Sequence, residues 1–444
     1  MVEQMKPSGI DWIGDIPQSW SLKRIKYVIE DIKDGTHGTF GRVDSGEPLL
    51  SAKNVFDDGL HISENESEIS YEDYLQITSN GFPRKNDVLL CCVGTVGRCC
   101  VYIFDKPLAF QRSVSFLRPN KKTTSEYLKY LLQSDSTLVQ EQLLINKSAQ
   151  EGLYMGSVKE LIIPYTEDLK EQKAIADFLD KQCGKIDEII SDLEKQIETL
   201  QKYKKSLILE AVTKGLNKNV PMKSSGIDWI GDIPQSWKLK RIKYLSTLKG
   251  RIGWQGLTAD EYVDEGPFLI TGTDFIDGTI NWDTCVHITK ERWAEAPEIH
   301  IKNGDLLITK DGTVGKVAIV SNLEGKASLN SGVLLIRTFE GFDKRFLYWV
   351  LLSDEFWVWF KLKNAGNSTI IHLYQNDFAE FCYTFPNVIE QKAIADFLDK
   401  QCGKIDSILK DKQEQLEKIK QHKKSLIYEY VTGKKRVKEA TNGN

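Results

Sequence analysis

Two long stretches of the chain carry apolar residues at the spacing that keeps one face of a helix apolar. From Leu169 to about Val212 there is no proline, and leucine, lysine, glutamate, glutamine and alanine dominate, all good helix formers. The apolar positions recur at steps of four and three residues, which forms a stripe along which one helix packs against another. These positions are Ile186, Ile190, Leu193, Ile197 and Leu200. A matching stripe near the end of the chain comprises Ile405, Leu409, Leu416 and Ile419.

These stripes predict two long helices that pair with each other as an antiparallel coiled coil. At 1.5 Å per residue each helix would be on the order of 60 Å long and would act as a spacer between globular parts. One position departs from the pattern, because Lys412 stands where the first stripe has Leu193. A charged residue in such a seam lowers stability and can fix the register of the pair.

The remaining parts of the chain contain short apolar runs that are typical of strands. They are VLLCCV, RCCVYIF and SVSFLR in the first half and DLLITK, KVAIV and GVLLIR in the second. Both halves also contain GTVG, whose glycines suit a tight turn better than a phosphate-binding loop, since the pattern GxxxxGK[ST] is not met. We therefore predict a mixed α/β fold with two similar globular bodies and the pair of long helices.

The chain is a tandem duplication. Residues Ser8–Tyr27 and Ser225–Tyr244 are identical at 19 of 20 positions, and EQKAIADFLDKQCGKID occurs at both Glu171–Asp187 and Glu390–Asp406. Between these blocks the halves differ heavily. Repeats of this kind mark units of one design. We interpret the identical ends as identical docking surfaces and the differing bodies as parts that contact different targets, although recent duplication with drift would leave a similar pattern.

The repeat divides the chain into four predicted segments. Two of them are globular bodies, and each is followed by a helical spacer: 1–165 and 223–387 for the bodies, 166–222 and 388–444 for the spacers. Tryptophans that occur in both entry blocks are expected to anchor the cores of the bodies: Trp12, Trp20, Trp229 and Trp237.

The charge balance does not by itself indicate nucleic-acid binding. The formal net charge of the 444 residues is -4. Residues 28–165 have 14 basic and 19 acidic side chains, and residues 245–387 have 13 and 19, so both bodies are acidic. If they bind DNA, the basic groups that neutralise phosphates must be clustered or supplied by a partner.

The sequence shows no catalytic or targeting signature. It contains no GxSxG, HExxH or dinucleotide-binding fingerprint, and none of its six histidines is repeated between the halves. The N-terminus lacks the apolar region of a signal peptide, and no run of about 18 apolar residues is present, so we expect a cytoplasmic protein. The cysteines are expected to be reduced structural thiols, and a zinc site from Cys91, Cys92, Cys99 and Cys100 with His61 or His37 is the poorly supported alternative.

A constant helical segment after each of two variable bodies resembles the specificity subunits of type I restriction-modification enzymes. The residues that carry the resemblance are IPQSWSLKRIKYV with its twin IPQSWKLKRIKYL, and EQKAIADFLDKQCGKID in both copies. It implies that each body is a target recognition domain for one half of a bipartite, asymmetric DNA sequence. It also implies that the paired helices dock two methyltransferase subunits and, through them, the motor-nuclease restriction subunits.

The resemblance further implies that this chain is not catalytic and binds no cofactor or metal itself. S-adenosylmethionine would be held by the methyltransferase subunits, and ATP with magnesium by the restriction subunits.

Base readout needs side chains able to form hydrogen bonds in the major groove, on loops that project from the bodies. In the first body we expect these residues on three loops: Thr36, His37, Thr39, Arg42, Lys53, Asn54 and Arg112. In the second body we expect Arg251, Trp254, Gln255, Thr273, Asp274 and Lys310. A duplicated protein-binding scaffold without DNA readout is the alternative function, and an autonomous nuclease or methylase is a more remote one.

Overall fold

The computed structural model describes residues 4–145, 152–251, 257–364 and 372–437. Within it the chain forms two compact units. The first unit consists of Met1–Glu194 with Glu414–Asn444, and the second consists of Lys195–Gln413. The division falls inside both long helices, so each unit contains one globular body, the first part of one long helix and the last part of the other.

The first body contains short strands and four helices. The strands are β1 (Met5–Pro7), β2 (Asp15–Pro17), β3 (Ser21–Arg24), β4 (Ile29–Asp34), β5 (Glu47–Leu50), β6 (Val55–Phe56), β7 (Gly59–Leu60), β8 (Glu68–Ile69), β9 (Val88–Cys91), β10 (Cys99–Val101), β11 (Ala109–Phe110), β12 (Val114–Pro119) and β13 (Ile162–Tyr165). The helices are α1 (Tyr71–Thr78), α2 (Ser125–Gln133), α3 (Asp135–Leu144) and α4 (Met155–Glu160), and the long helix α5 (Leu169–Lys214) follows.

The second body repeats this order of elements. Its strands are β14 (Met222–Ser224), β15 (Asp232–Pro234), β16 (Lys238–Arg241), β17 (Ser246–Gly250), β18 (Val263–Ile270), β19 (Phe275–Ile276), β20 (Thr279–Ile280), β21 (Val286–His287), β22 (Leu306–Thr309), β23 (Val317–Ile319), β24 (Ala327–Leu329), β25 (Val333–Thr338) and β26 (Cys382–Phe385). Its helices are α6 (Lys290–Ala294), α7 (Lys344–Leu352), α8 (Asp354–Lys363) and α9 (Gln375–Ala379), followed by the long helix α10 (Val388–Val431).

The two bodies share one sheet topology. A four-stranded antiparallel sheet has the order β10-β9-β12-β4 in the first body and β23-β22-β25-β17 in the second. Beside it lies a three-stranded sheet, β11-β5-β8 or β24-β18-β21, in which the first pair of strands is parallel. Each predicted apolar run contributes a strand of the four-stranded sheets. The predicted mixed α/β architecture is therefore confirmed.

The long helices pair antiparallel within each unit. In the first unit Lys423 contacts Asp187 at 2.6 Å and Lys420 contacts Glu194 at 3.0 Å, so one helix ascends in number as the other descends. In the second unit Lys204 lies 2.6 Å from Asp406. This pair is the counterpart of the pair between Lys423 and Asp187. Asp406 lies 219 positions after Asp187, and Lys204 lies 219 positions before Lys423.

The nine predicted seam residues of the long helices are buried or half-buried. Lys412, which stands in the seam of the second helix, is also half-buried. Its ammonium donates a hydrogen bond of 2.6 Å to the side-chain oxygen of Gln196 in the second unit. A polar partner of this kind satisfies the charged group at the one position where the apolar stripe is broken.

The largest hydrophobic cluster of each unit combines a body with both long helices. In the first unit, Trp20 and Leu179 belong to one cluster with Ile427 and Val431 from the end of α10. In the second unit, the corresponding cluster includes Ile208, Ala211 and Val212 from the end of α5, together with Trp237, Ile394 and Leu398. The helices are thus part of the cores and not only connectors.

The four tryptophans expected in the cores have three different environments. Trp20 and Trp237 are fully buried, as predicted. Trp229 is half-buried and packs on the second core, whereas Trp12 is 37% exposed, so its assignment to the core was wrong.

Among the described residues, no helix is both long and apolar enough to cross a membrane.

An arginine–aspartate pair occupies the same place in both four-stranded sheets. Arg118 on β12 donates to both carboxylate oxygens of Asp87, at 2.9 and 2.8 Å, and Arg337 on β25 makes the same two bonds to Asp305, at 2.9 and 2.7 Å. Hydrogen bonding to Asp87 raises the pKa of Arg118. A two-pronged pair with buried carboxylates fixes the start of β9 and of β22 to the neighbouring strand.

We predict that Asp87→Asn destabilises the first unit by about 3 kcal/mol, because it leaves a half-buried arginine without its charge partner. Asp305→Asn is expected to act on the second unit in the same way. Denaturant unfolding gives the size of the effect, and amide hydrogen exchange of β9 and β22 shows which unit is affected.

Asp105→Asn is the matched control, because Asp105 pairs with Lys85 at 2.9 Å on the surface of the same body. Its effect should stay below about 1 kcal/mol. A loss from Asp87→Asn no larger than that of the control would contradict the role of the pair.

Candidate nucleic-acid interface

Four loops of the first body meet at one end of its sheets. Because β12 runs antiparallel to both β4 and β9, the segments after β4 and β9 and the segment before β12 share that end. The parallel pairing of β5 with β11 brings the segment after β5 to the same place. We call this the first loop surface and define it as residues 35–42, 51–54, 92–98 and 111–113.

Hydrogen bonds tie these loops to one another. The backbone N–H of Thr36 donates to Phe110 at 2.7 Å, and the N–H of Arg112 donates back to Thr36 at 2.9 Å. Ser113 links two further loops, since its carbonyl accepts from Cys92 and its hydroxyl accepts from the N–H of Ala52 at 3.0 Å. The loops therefore form one ordered surface.

The second body has the equivalent surface, which we define as residues 271–274, 310–316 and 330–332. The N–H of Lys310 donates to Gly332 at 2.8 Å, as Cys92 does to Ser113 in the first body. The hydroxyl of Thr313 and the ammonium of Lys316 both lie 3.3 Å from the carbonyl oxygen of Gly272. Hydrogen bonds between loops thus hold the second loop surface together too, and one of them repeats a bond of the first surface.

The GTVG segments are tight turns within these surfaces. The φ angles are 80° and 90° at Gly94 and Gly97, and 68° and 85° at Gly312 and Gly315. A side chain at the second glycine would also collide with the adjacent helix, at 2.5 Å from Leu138 in the first body. Glycine is required there for both conformation and space, which confirms the predicted turn.

Asn54 and Asp274 hold equivalent loops from inside. Asn54 accepts a hydrogen bond from the N–H of Ser51 at 3.0 Å, and Asp274 accepts one from the N–H of Thr271 at 2.7 Å. Both side chains are buried, at 2% and 0% exposure. Although both were expected to contact DNA, their position makes them supports of the loops on which Lys53 and Thr273 stand.

The other candidates of the first body lie on the first loop surface. His37, Thr39, Arg42, Lys53 and Arg112 are exposed, and Thr36 is half-buried. His37 lies 3.8 Å from Asp34, a carboxyl whose pKa is raised by burial. The structure therefore brings these six sequence-predicted residues together at one end of the body.

The candidates of the second body are more scattered. Thr273 is exposed and Lys310 half-buried on the second loop surface. Arg251 is buried, and it donates to the carbonyl oxygen of Leu329 at 2.7 Å and to the hydroxyl of Ser328 at 3.0 Å. Burial lowers its pKa. Trp254 and Gln255 lie outside the described residues.

Sequence reasoning missed one basic position on each surface. Arg98 and Lys316 directly follow the two GTVG turns. Arg98 is half-buried and Lys316 is exposed. The guanidinium of Arg98 lies 5.0 Å from the centre of the Phe56 ring. The signal was present in the sequence, because both copies of GTVG are followed by a basic residue within otherwise different segments.

A family comparison matches both bodies and much of the helices. The model described as the type I restriction modification DNA specificity domain matches residues 44–199 and again residues 236–418. The chain belongs to this family. The duplication seen in the sequence is therefore a pair of specificity domains.

Similar proteins extend over nearly the whole chain. The putative type I restriction enzyme MjaX specificity subunit of Methanocaldococcus jannaschii is 26% identical, covering 96% of both chains. The MjaVIII specificity subunit of the same organism is 25% identical over 95% of this chain and 94% of its own. A solved structure concerning complex assembly and conformational transition of the type I R-M system has 14% identity and a TM-score of 0.65, covering 94% and 98%. That likeness supports the fold.

The first specificity domain contains a buried acid behind its GTVG turn. Glu141 on α3 is 1% exposed, and among the described residues neither of its carboxylate oxygens has a hydrogen-bond partner. Burial raises its pKa to about 8. A cavity of about 440 Å³ lies beside it and is lined by Gly94, Thr95, Val96, Leu138, Gln142 and Ile145. The second specificity domain has Phe360 at the corresponding position.

The cysteines of this domain lie in its core. Cys91, Cys92, Cys99 and Cys100 are all buried, and burial raises the pKa of the Cys91 thiol to about 11. These thiols are therefore neutral near pH 7. In the part of the chain that the structure describes, no group of three or more histidine, cysteine, aspartate or glutamate side chains is placed to hold a metal ion.

We predict that the first specificity domain loses stability as the pH rises from about 4.5 to about 8. The folded state keeps Glu141 protonated over this range, whereas the unfolded state releases the proton, so ionisation favours unfolding. At pH 7 the effect amounts to about 3 kcal/mol. Glu141→Gln should remove this slope in chemical unfolding followed between pH 5 and 9.

Glu72→Gln is the control, because Glu72 is exposed on α1 of the same domain. It should leave the slope unchanged. Equal slopes for the wild type and Glu141→Gln would show that Glu141 does not carry the pH dependence.

Proposed function

We propose that the chain is the DNA specificity subunit of a type I restriction-modification enzyme and reads a bipartite, asymmetric DNA sequence. Each loop surface would read one half of that sequence. The observation that carries the proposal is that two specificity domains present equivalent loop surfaces on one backbone frame but with different exposed side chains. Lys53 corresponds to Thr273, and Arg112 corresponds to Ser331.

Different side chains on one frame are what two unlike half-sites require. Base edges in the major groove are distinguished by hydrogen-bond donors and acceptors, so a change of side chain changes the base that is preferred. A frame that is kept constant places the side chain at the same depth in both domains. A scaffold that bound one kind of protein twice would instead favour two loop surfaces with matching side chains.

The candidate residues take two roles in this proposal. Those exposed or half-buried on the loop surfaces contact DNA: Thr36, His37, Thr39, Arg42, Lys53, Arg112, Thr273 and Lys310, to which we add Arg98 and Lys316. The buried residues Asn54, Arg251 and Asp274 shape the loops instead. Trp254 and Gln255 stay candidates on sequence grounds.

The partners in this proposal are double-stranded DNA, two methyltransferase subunits and the restriction subunits that join them. The target recognition domains would span 1–165 and 223–387, with helical spacers at 166–222 and 388–444. The bodies are acidic overall, so partner subunits would provide much of the charge that neutralises phosphates. The chain would have no catalytic residue, and the complex would act in the cytoplasm.

We predict that exchanging residues 28–165 for those of another family member changes the bases recognised in one half-site and leaves the other half unchanged. The reason is that each loop surface is built entirely within its own domain. The measurement is selection of bound sequences from a randomised duplex library by the complex with the methyltransferase subunits.

The reciprocal exchange of residues 245–387 should change the opposite half-site, which makes the two exchanges controls for each other. A complex that assembles but selects no sequence at all would favour the protein-binding scaffold. A change in both half-sites after one exchange would contradict the assignment of one half-site to each domain.

A further inference from the structure

The loops at 51–54 and 271–274 form hydrogen bonds at equivalent residues. The N–H of His61 donates to the carbonyl oxygen of Asn54 at 2.8 Å, and the N–H of Asn281 donates to that of Asp274 at 2.8 Å. Together with the inner bonds of Asn54 and Asp274, this places equivalent residues of the two loops alike, although Ala52–Asn54 forms a short 3-10 helix and residues 272–274 form a turn. Lys53 and Thr273 are therefore the same exposed position in the two domains.

Lys53 is held by a fixed carboxylate. Its ammonium lies 2.7 Å from Oε2 of Glu66, while Oε1 of Glu66 accepts from the amide of Asn54 at 2.7 Å and from the hydroxyl of Ser63 at 3.1 Å. The hydrogen bond from Lys53 lowers the pKa of Glu66 to about 2. Glu66 is therefore ionised near neutral pH, and its own position is fixed by hydrogen bonds within the loop.

The lysine still presents donors to the solvent. Its side chain is 61% exposed, whereas that of Glu66 is 6% exposed. An ammonium has three N–H donors. Lys53 is held beside Glu66 as an ion pair, and its exposed side chain presents donors to a ligand that approaches the first loop surface. Thr273 has a different environment, since its hydroxyl lies 2.8 Å from that of Thr271.

The ion pair with Glu66 determines whether Lys53 is better suited to contact a phosphate or a base of DNA. Phosphate binding is driven by net positive charge, and a lysine beside a fixed carboxylate contributes almost none. A base edge carries no formal charge and requires donors in a fixed position. Among the bases, guanine offers two acceptors side by side in the major groove, O6 and N7. A positioned ammonium therefore matches guanine better than the backbone.

We propose that Lys53 reads a guanine in the half-site recognised by the first specificity domain, with Glu66 as the positioning residue that aims its ammonium. The inference rests on the proposed function, and it narrows that function to one residue and one base. It also explains why the two domains differ at this position although the loop is the same.

The test uses the assembled complex with its methyltransferase subunits and a randomised duplex library as the probe. Lys53→Met should reduce the preference for guanine at one position of one half-site by about tenfold or more. Lys53→Arg should retain it, because a guanidinium also donates to O6 and N7. Neither the other positions nor the second half-site should change.

Glu66→Gln separates positioning from fold stability. Its amide oxygen can still accept from Asn54, but the lysine loses its anionic partner and its fixed direction. We expect a weaker guanine preference together with tighter binding to random DNA and a steeper salt dependence, since the net charge rises by one. A merely structural role of Glu66 would lower both kinds of binding together.

Lys85→Met is the matched control, because Lys85 is also an exposed lysine paired with a carboxylate, Asp105, and it precedes β9 at the opposite end of the sheet. It should select the wild-type sequence. If the wild-type complex selects a bipartite sequence and Lys53→Met leaves every position unchanged, or alters a base other than guanine, the inference fails while the proposed function stands. If the wild type selects no sequence, the proposed function itself fails.

Discussion

The structure depends on one packing constraint: the largest hydrophobic cluster of each unit is incomplete without helix segments from distant parts of the chain. In the first unit the end of α10 packs through Ile427 and Val431 into the cluster that contains Trp20 and Leu179. In the second unit the end of α5 takes the same place beside Trp237. Apolar side chains of this kind each contribute about 1.5–3 kcal/mol when buried. The long helices are therefore obligatory parts of both units.

This constraint gives a physical reason for the identical sequence blocks. The indole N–H of Trp20 lies 3.2 Å from Glu171 in the first turn region of α5, and that of Trp237 lies 3.2 Å from Glu390 in α10. The ends of the partner helices approach the same tryptophans, at Gly433 and Gly215. An entry block that must fit both the start of one helix and the end of the other tolerates little change. Part of the identity that we interpreted as docking surface is thus used for internal packing.

The sequence was sufficient for features that repeat with a period and insufficient for those that depend on long-range burial. The stripes of the long helices, the strands of the four-stranded sheets and the GTVG turns followed from local spacing and from glycine. Asn54, Arg251 and Asp274 are polar residues in Gly-rich or turn-like segments, so in sequence they are indistinguishable from exposed loop residues. Arg251 is buried against Leu329, far along the chain. Asn54 and Asp274 are buried as well, although their hydrogen-bond partners, such as Ser51 and Thr271, are near them in sequence. The basic residues after GTVG were visible, but their relation to the loop surface required the sheet topology.

The acidic charge of both bodies and the ion pair at Lys53 suit a complex in which this chain reads bases and partner subunits neutralise phosphates. A protein that bound DNA mainly through its own cations would bind any sequence tightly, and its base contacts would add little discrimination. Here the exposed Lys53 on the first loop surface is paired with Glu66, so under the proposed function its contribution would depend on hydrogen-bond geometry and not on net charge. Leaving phosphate neutralisation to partner subunits would let the same partners serve many pairs of recognition domains. Specificity then resides in a few side chains on a constant frame, which is the arrangement that allows one domain to change without disturbing the other.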